Sequence, residues 1–339
     1  MAAAVVKGPG RLTVEDVPVP TVSDGEVLAA VDLCGVCGSD LHMVLDGWAQ
    51  PETWHGHEWI GTVVAVGPGV DRWQIGDVVV GGPPTGCGAC GPCLDRRPSL
   101  CMARDAPGVA PVQGAFAAYK LAREAELLAL PEGLDPRAAA LAEPLAVALH
   151  GVHQGGVVPG QRVLVLGAGP IGALAIAAMA AMGVDDITCV EPNEARQALA
   201  SKVGATTLLV PEDLVVPTIA EPGLVVNGAV DVVLECSGKR SAMEAGLAQL
   251  VRGGTLVLIG AGIDPPRFDP NRILLNELVI TGAFNYDHDG FTQALALLAS
   301  GALPVEELLE PGVVRLDGLL DAMRGLADGR LAGKVLVQP

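Results

Sequence analysis

Aromatic side chains make up only 3% of the 339 residues: four Phe, four Trp and two Tyr. A core built with so few must take its volume from Ala, Val and Leu, which suits helices packed closely on a sheet. Basic residues are also scarce, 21 against 39 acidic, leaving a formal net charge of −18. A field of that sign repels phosphate backbones and anionic membrane surfaces, so neither nucleic acid nor a membrane is an expected partner. The first residues, MAAAVVKGPGRLTVED, hold no apolar run long enough for a signal peptide, and a cytoplasmic location is expected. Charged residues amount to 18% against 50% hydrophobic, a globular composition and not a disordered one. The length exceeds one comfortable core, so two domains are expected.

One stretch must be weighed against a membrane span. Residues 163–184 carry no charge over 22 positions. Gly167, Gly169, Pro170 and Gly172 interrupt the start of that run. A strand buried on both faces and followed by a buried helix gives the same pattern, and this is the reading adopted.

The chain changes texture near residue 160. Before it, short β pieces (AAAVV, RLTVEDVP, EVLAAVDL, WIGTVVAVG, DVVVGG) are punctuated by Pro and Gly without regular βα alternation. Residues 135–152 are helical in composition, with a break at Pro144. After residue 160, apolar β runs alternate with Ala-rich helical segments from RVLVLG to GTLVLIG, with LVITGAF as a last strand. That alternation predicts a doubly wound parallel sheet. The tail reads as helix, loop, helix and strand. There is no internal repeat and no low-complexity linker, and a cleft between the two halves is the expected place for a site.

Gly167-Ala168-Gly169-Pro170-Ile171-Gly172 follows VLVL and opens a helix. In that context the glycines serve a tight turn, a close backbone approach to pyrophosphate, and close helix–strand packing. Glu191 lies 19 residues past Gly172, where a carboxylate accepts from a ribose diol and repels a 2′-phosphate. This favours NAD over NADP, while Arg196 is a basic neighbour able to receive such a phosphate.

Eight cysteines in a chain expected to be cytoplasmic point to metal and not to disulfides. Cys87-x2-Cys90-x2-Cys93-x7-Cys101 suits one tetrahedral structural zinc with no position open to substrate. An iron–sulfur cluster and a metal-free loop are the competing readings. CGVCGSDLH (34–42) and HGHE (55–58) form a mixed sulfur, nitrogen and oxygen set, the kind that holds a catalytic zinc with an open position. Spacing leaves Cys34 or Cys37, and His55 or His57, as the ligands.

GVCGSDLH, GHE, the four-cysteine loop, EPLAVALHG and GAGPIG stand in the order found in zinc-dependent medium-chain alcohol dehydrogenases. The chain resembles that family over essentially its whole length, with most likeness to the sorbitol/polyol and threonine dehydrogenase-like branch. The resemblance implies an α/β protein: a GroES-like β-rich catalytic domain over 1–146, completed by 285–339, and a Rossmann NAD-binding domain over 147–284. It implies that Cys37 and His57 ligate the catalytic zinc, with Glu58 beside or on the metal. Glu143, in EPL, is then a further ligand, direct or through water. Cys34 becomes a core thiol. Asp40 orients the zinc-bound histidine. Ser39 starts a proton relay that His42 extends towards solvent.

By the same likeness, GAFNYD (282–287) reaches nicotinamide and substrate. Phe284 and Asn285 then belong to the cofactor site and Tyr286 to the substrate. Polyol-specific relatives place an Arg beside the aromatic there, whereas this chain has Asn285. Lys334, in GKVLV, resembles a basic residue near the cofactor pyrophosphate. Cys189 and Cys236 fall in or at the ends of Rossmann strands as small apolar residues, with Cys236 placed against the cofactor. Trp48, Trp54 and Trp59 either shape a substrate pocket or, for the last two, pack the β core; Trp48 is taken as a substrate residue.

The expected function is therefore reversible hydride transfer between a secondary alcohol or polyol-like substrate and NAD. Two zinc ions per chain are expected, one catalytic and one structural, in a homodimer or homotetramer for which LNELVITGAF offers an interface strand. An NADP-dependent aldehyde or ketone reductase is the near alternative. A non-catalytic NAD-binding or zinc-ribbon interaction protein is the alternative of another class.

Overall fold

The computed structural model describes residues 1–83, 86–104, 113–287 and 289–339. The chain forms two compact units. One comprises Met1–Pro144, Asp287–Gly301 and Leu309–Pro339; the other comprises Leu145–Tyr286 and Ala302–Leu308.

The first unit opens with an antiparallel hairpin of β1 (Ala2–Gly8) and β2 (Arg11–Asp16). There follow β3 (Glu26–Gly35), helix α1 (Gly38–Val44), β4 (Glu58–Val66) and β5 (Val78–Gly81). Helix α2 (Gly91–Leu94), β6 (Tyr119–Arg123), β7 (Leu127–Ala129) and α3 (Pro136–Ala139) come next. Helix α4 (Ala142–Gln154) starts with Pro144 in its first turn, where no intrahelical bond is lost, so the expected break is a helix start instead.

The second unit carries β8 (Arg162–Leu166), α5 (Pro170–Ala181), β9 (Asp186–Val190), α6 (Glu194–Lys202) and β10 (Thr207–Leu209). It continues through β11 (Val230–Glu235), α7 (Arg240–Ala248), β12 (Leu250–Leu258), α8 (Pro270–Asn276) and β13 (Val279–Gly282). The tail adds α9 (Gly290–Ala299), α10 (Val305–Leu308), β14 (Val314–Arg315), α11 (Leu319–Ala327) and β15 (Leu336–Gln338).

In the second unit, six parallel strands run in the order β10-β9-β8-β11-β12-β13. Numbered within the sheet this is 3-2-1-4-5-6, the Rossmann order, whose reversal between β8 and β11 marks the ligand end. Leu164, Leu166, Val233, Leu247 and Leu256 fill its core with aliphatic volume. In the first unit a seven-stranded sheet runs β14-β15-β3-β4-β5-β7, with β6 pairing β3. Trp59 and Phe116 lie in its core among Val27, Val63, Leu127 and Met323. Trp59 is thus core packing, and Trp54 packs against Ala3, Val5 and Ala117.

Chain-distant segments meet on β3. Its end pairs β15 through Gly35–Leu336 and β4 through Gly35–Glu58. A Cβ at Gly35 would overlap the Glu58 carboxylate, so a glycine there admits the acid. Among the described residues, no helix is long and apolar enough to cross a membrane. The charge-free run divides into β8 and the 12-residue α5.

Candidate active site

In the first unit, ligand atoms of Cys37, His57 and Glu58 all lie within 4.8 Å of one another. Cys37 caps the N-terminus of α1, and β4 begins at Glu58. Asp40, buried on α1, ties the two segments. One carboxylate oxygen accepts from the Cys37 amide at 2.9 Å, and the other accepts from the Gly56 amide at 3.3 Å. The latter oxygen stands 3.7 Å from His57 Nδ1, an ion-pair distance. Burial pulls the His57 pKa down, but Cys37 and Asp40 outweigh it, and the group rises well above its ordinary 6.5. His55 lies outside the cluster; it is buried with Nε2 3.3 Å from Thr53 Oγ1. Cys34 is fully buried and its thiol pKa is pushed up by that burial.

Glu143 is buried near the same charges. Burial raises its pKa to about 7 against the opposing pull of His57. Lys334 is buried against the same cluster. It is 1% exposed, and its ammonium donates to both Glu58 oxygens at 2.7 Å and to the Val36 carbonyl at 3.0 Å. These donors tie the end of the first unit's chain to the carboxylate beside Cys37 and His57. Burial would lower its pKa, but Glu58 and neighbouring negative groups raise it. Ser39 lies on α1, partly exposed, one turn before His42. Trp48, expected on the substrate, stacks on the His42 ring at 4.9 Å.

Sulfurs of Cys87, Cys90, Cys93 and Cys101 form a second cluster within 4.8 Å. Cys90 and Cys101 sulfurs are 4.0 Å apart, close to the roughly 3.8 Å edge that Zn–S bonds of about 2.3 Å give a tetrahedron. Backbone amides of Cys87, Cys90 and Met102 donate to these sulfurs at 3.3 to 3.5 Å. Such donors favour thiolate, and amides at Ala89 and Cys90 pull the Cys87 pKa down to about 6. The donor sets therefore fit zinc in both places. The loop is tied to the start of α9. Arg96 donates to both Asp289 oxygens at 2.6 and 2.7 Å, and Ser99 donates to Asp287 at 2.6 Å.

In the second unit the glycine motif joins β8 to α5. Gly167 has φ +93 and Ser237 against it, and a Cβ on Gly172 would overlap the Gly167 carbonyl. Nothing lies within 4 Å of a Cβ built on Gly169, which leaves room for a phosphate to approach the backbone. Pro170 has no amide to lose, and Ile171 and Gly172 carry amides that a helix start leaves without intrahelical acceptors. The site so formed fits a dinucleotide.

Glu191 directly follows β9 and is buried. Its oxygens accept from Ala168 N at 2.8 Å and Asn193 N at 2.9 Å, so it braces the glycine turn. Arg196 lies in the first turn of α6, its amide capped by Asn193. Cys236 sits beside Gly172, with its amide on the Leu166 carbonyl. Phe284 is exposed, Asn285 takes φ +51, and Tyr286 is 2% exposed.

Sequence reasoning missed Lys334 on Glu58 and the tie from the cysteine loop to α9. The one available signal for the former is a lysine inside an otherwise apolar segment, GKVLV.

Residues 23–132 match the family model described as alcohol dehydrogenase GroES-like domain, and residues 170–300 match that described as zinc-binding dehydrogenase. Sorbitol dehydrogenase of Bacillus subtilis (strain 168) is 32% identical, over 100% of this chain and 97% of its own. The crystal structure of 2R,3R-butanediol dehydrogenase from Bacillus subtilis superposes with a TM-score of 0.86 at 30% identity, covering 100% of this chain and 99% of that one. A protein from Sinorhizobium meliloti 1021, solved bound to NADP, gives the same TM-score, identity and coverage.

Proposed function

The chain belongs to the zinc-binding alcohol dehydrogenase family with a GroES-like domain, and from that premise we propose that it oxidises a secondary alcohol or polyol-like substrate with NAD, reversibly. We assign one zinc to Cys37, His57 and Glu58, with Glu143 completing the set directly or through a water, and a second to the four cysteines. The convergence of a thiol, an imidazole and a carboxylate within 4.8 Å carries the reading. The three clustered donors, with Glu143 acting through a water, leave a coordination position for substrate, whereas four thiolates do not. Relatives named for sorbitol and butanediol support a hydroxylated substrate.

When bound, zinc supplies a Lewis acid that makes an alcohol oxygen more acidic. The chain supplies the rest. Asp40 orients His57 and holds the Cys37 amide, fixing the donors before metal arrives. Ser39 accepts the alcohol proton through its hydroxyl, and His42, one helical turn on, takes it towards water. The glycine turn and the first amides of α5 hold the pyrophosphate, and Glu191 faces the ribose. Phe284, Asn285 and Tyr286 follow β13 as the segment for nicotinamide and substrate.

NAD is favoured because a 2′-phosphate would meet the Glu191 charge. The NADP-bound relative and the nearby Arg196 support the second reading, an NADP-dependent carbonyl reductase. Edge strand β13, with Val279 exposed and Leu274 and Leu275 exposed on α8, supports assembly into a homodimer or homotetramer. Eight free cysteines suit a reducing, cytoplasmic setting.

A panel of secondary alcohols, polyols and sugars, assayed with NAD and NADP, tests the proposal. Zinc-dependent reduction of NAD by at least one diol or polyol is expected. Nucleotide binding with no oxidation across the panel would favour a non-catalytic protein instead.

A further inference from the structure

His42 is held from two sides. Its Nδ1 lies 2.6 Å from Asp46 Oδ2, and its ring stacks on the Trp48 indole with centroids 4.9 Å apart and planes 16° apart. The backbone brings both partners back to the ring. After α1, Gly47 turns the chain at φ +78, where a Cβ would come 2.6 Å from the Pro9 ring. The Trp48 amide then donates to the His42 carbonyl at 3.3 Å. Ser39 lies three residues before His42 on α1, one helical turn away, and Asp46, past the end of α1, reaches the ring from the following bend. A carboxylate on the ring edge sets its rotation, and an indole on its face sets its plane. Among the described residues, Nε2 has no protein hydrogen-bond partner.

We propose that Asp46, with Trp48, is the positioning partner of His42, keeping the neutral imidazole protonated on Nδ1 so that Nε2 presents its lone pair to the incoming proton. The inference rests on the relay through Ser39 and His42 proposed above. In the step, an Nε2–H bond forms as the O–H bond of the preceding donor breaks. The positive charge on the ring is matched by the Asp46 carboxylate, and the proton then passes from Nε2 to solvent water. No electrons are transferred. A carboxylate that fixes the tautomer of a proton-carrying histidine from its far nitrogen performs this task wherever such pairs occur.

The test uses the zinc-loaded full chain with sorbitol or 2,3-butanediol and NAD, and imidazole ¹⁵N spectra of histidine-labelled protein. Asp46→Asn should lower kcat roughly tenfold, part of the rate that proton transfer supplies, with zinc content and alcohol KM unchanged. His42→Ala should lower it at least as far, and the double variant no further. The neutral His42 ring should carry its proton on Nδ1 in the parent and shift towards Nε2 in Asp46→Asn and Asp46→Ser. An unchanged tautomer, or full turnover in both Asp46 variants, would overturn the proposal. Full turnover in His42→Ala would overturn the relay itself, a distinguishable result. The tautomer needs no substrate, so it can be read even if neither alcohol is oxidised.

Discussion

Lys334 Nζ stands 2.7 Å from both carboxylate oxygens of Glu58, and neither side chain reaches solvent. The two residues come from opposite ends of the first unit's chain, meeting because β15 and β4 both pair with β3 at Gly35. An isolated charge in such a place is strongly unfavourable, so each makes the other tolerable. Glu58 also lies within 4.8 Å of Cys37 and His57. Its counter-charge is thus built into the protein, and a metal beside it would supply a second one.

Lys334→Met should accordingly destabilise the metal-free protein by about 3–5 kcal/mol, the cost of leaving one member of a buried pair alone. The zinc-loaded protein should lose clearly less, since the ion replaces the missing positive charge. Unfolding by urea with and without zinc measures both. Equal losses in the two forms would show that Glu58 does not face the metal.

Zinc affinity at the mixed site should depend on pH with a definite sign. Glu143 has its pKa raised to about 7 by burial, so below that pH a proton must leave before the carboxylate faces zinc. Affinity should climb as pH rises towards about 7 and then gain nothing further from Glu143. His57, raised well above 6.5 by its negative neighbours, adds its own climb at higher pH. In metal-free protein the sign reverses for stability. The folded state holds the Glu143 proton longer than the unfolded one, so stability from this group falls as pH rises from about 4.5 to 7. Chelator competition across this range should show a shallower lower limb in Glu143→Gln; an identical profile would remove Glu143 from the site.

Glu191 should govern cofactor choice through two effects. Its carboxylate repels a 2′-phosphate, and its bond to the Ala168 amide holds the glycine turn. Glu191→Gln should raise the NADP-to-NAD ratio of kcat/KM about tenfold, or about 1.4 kcal/mol, while weakening NAD itself. A ratio that does not move would assign the choice to Arg196.

Local pattern made much of this protein legible. The Rossmann alternation, the glycine turn between β8 and α5, and the close spacing of Cys87 to Cys101 are each written within a few dozen residues. Cys37 and His57 could be chosen over Cys34 and His55 only through family likeness, because both thiols and both imidazoles lie within reach in sequence. The contact of Lys334 with Glu58 was not legible, because it is set by strand pairing between distant segments. Trp48 and Asp46 depend on the turn at Gly47, which no periodicity announces. For Trp54 the sequence left pocket and core open, and the structure packs it against Ala3, Val5 and Ala117. Large aromatics are scarce here, and half of them are buried.

Zinc content per chain, measured alongside turnover in two single variants, tests the central claim most directly. The parent should hold about two zinc ions, one in each cluster. Cys37→Ala should keep one, bind NAD and show no turnover. Cys90→Ala should also keep one but lose thermal stability, with the chemistry of the mixed site intact in the chains that remain folded. Full turnover in Cys37→Ala, or a parent with a single zinc and an intact four-cysteine loop, would contradict a catalytic metal at Cys37, His57 and Glu58.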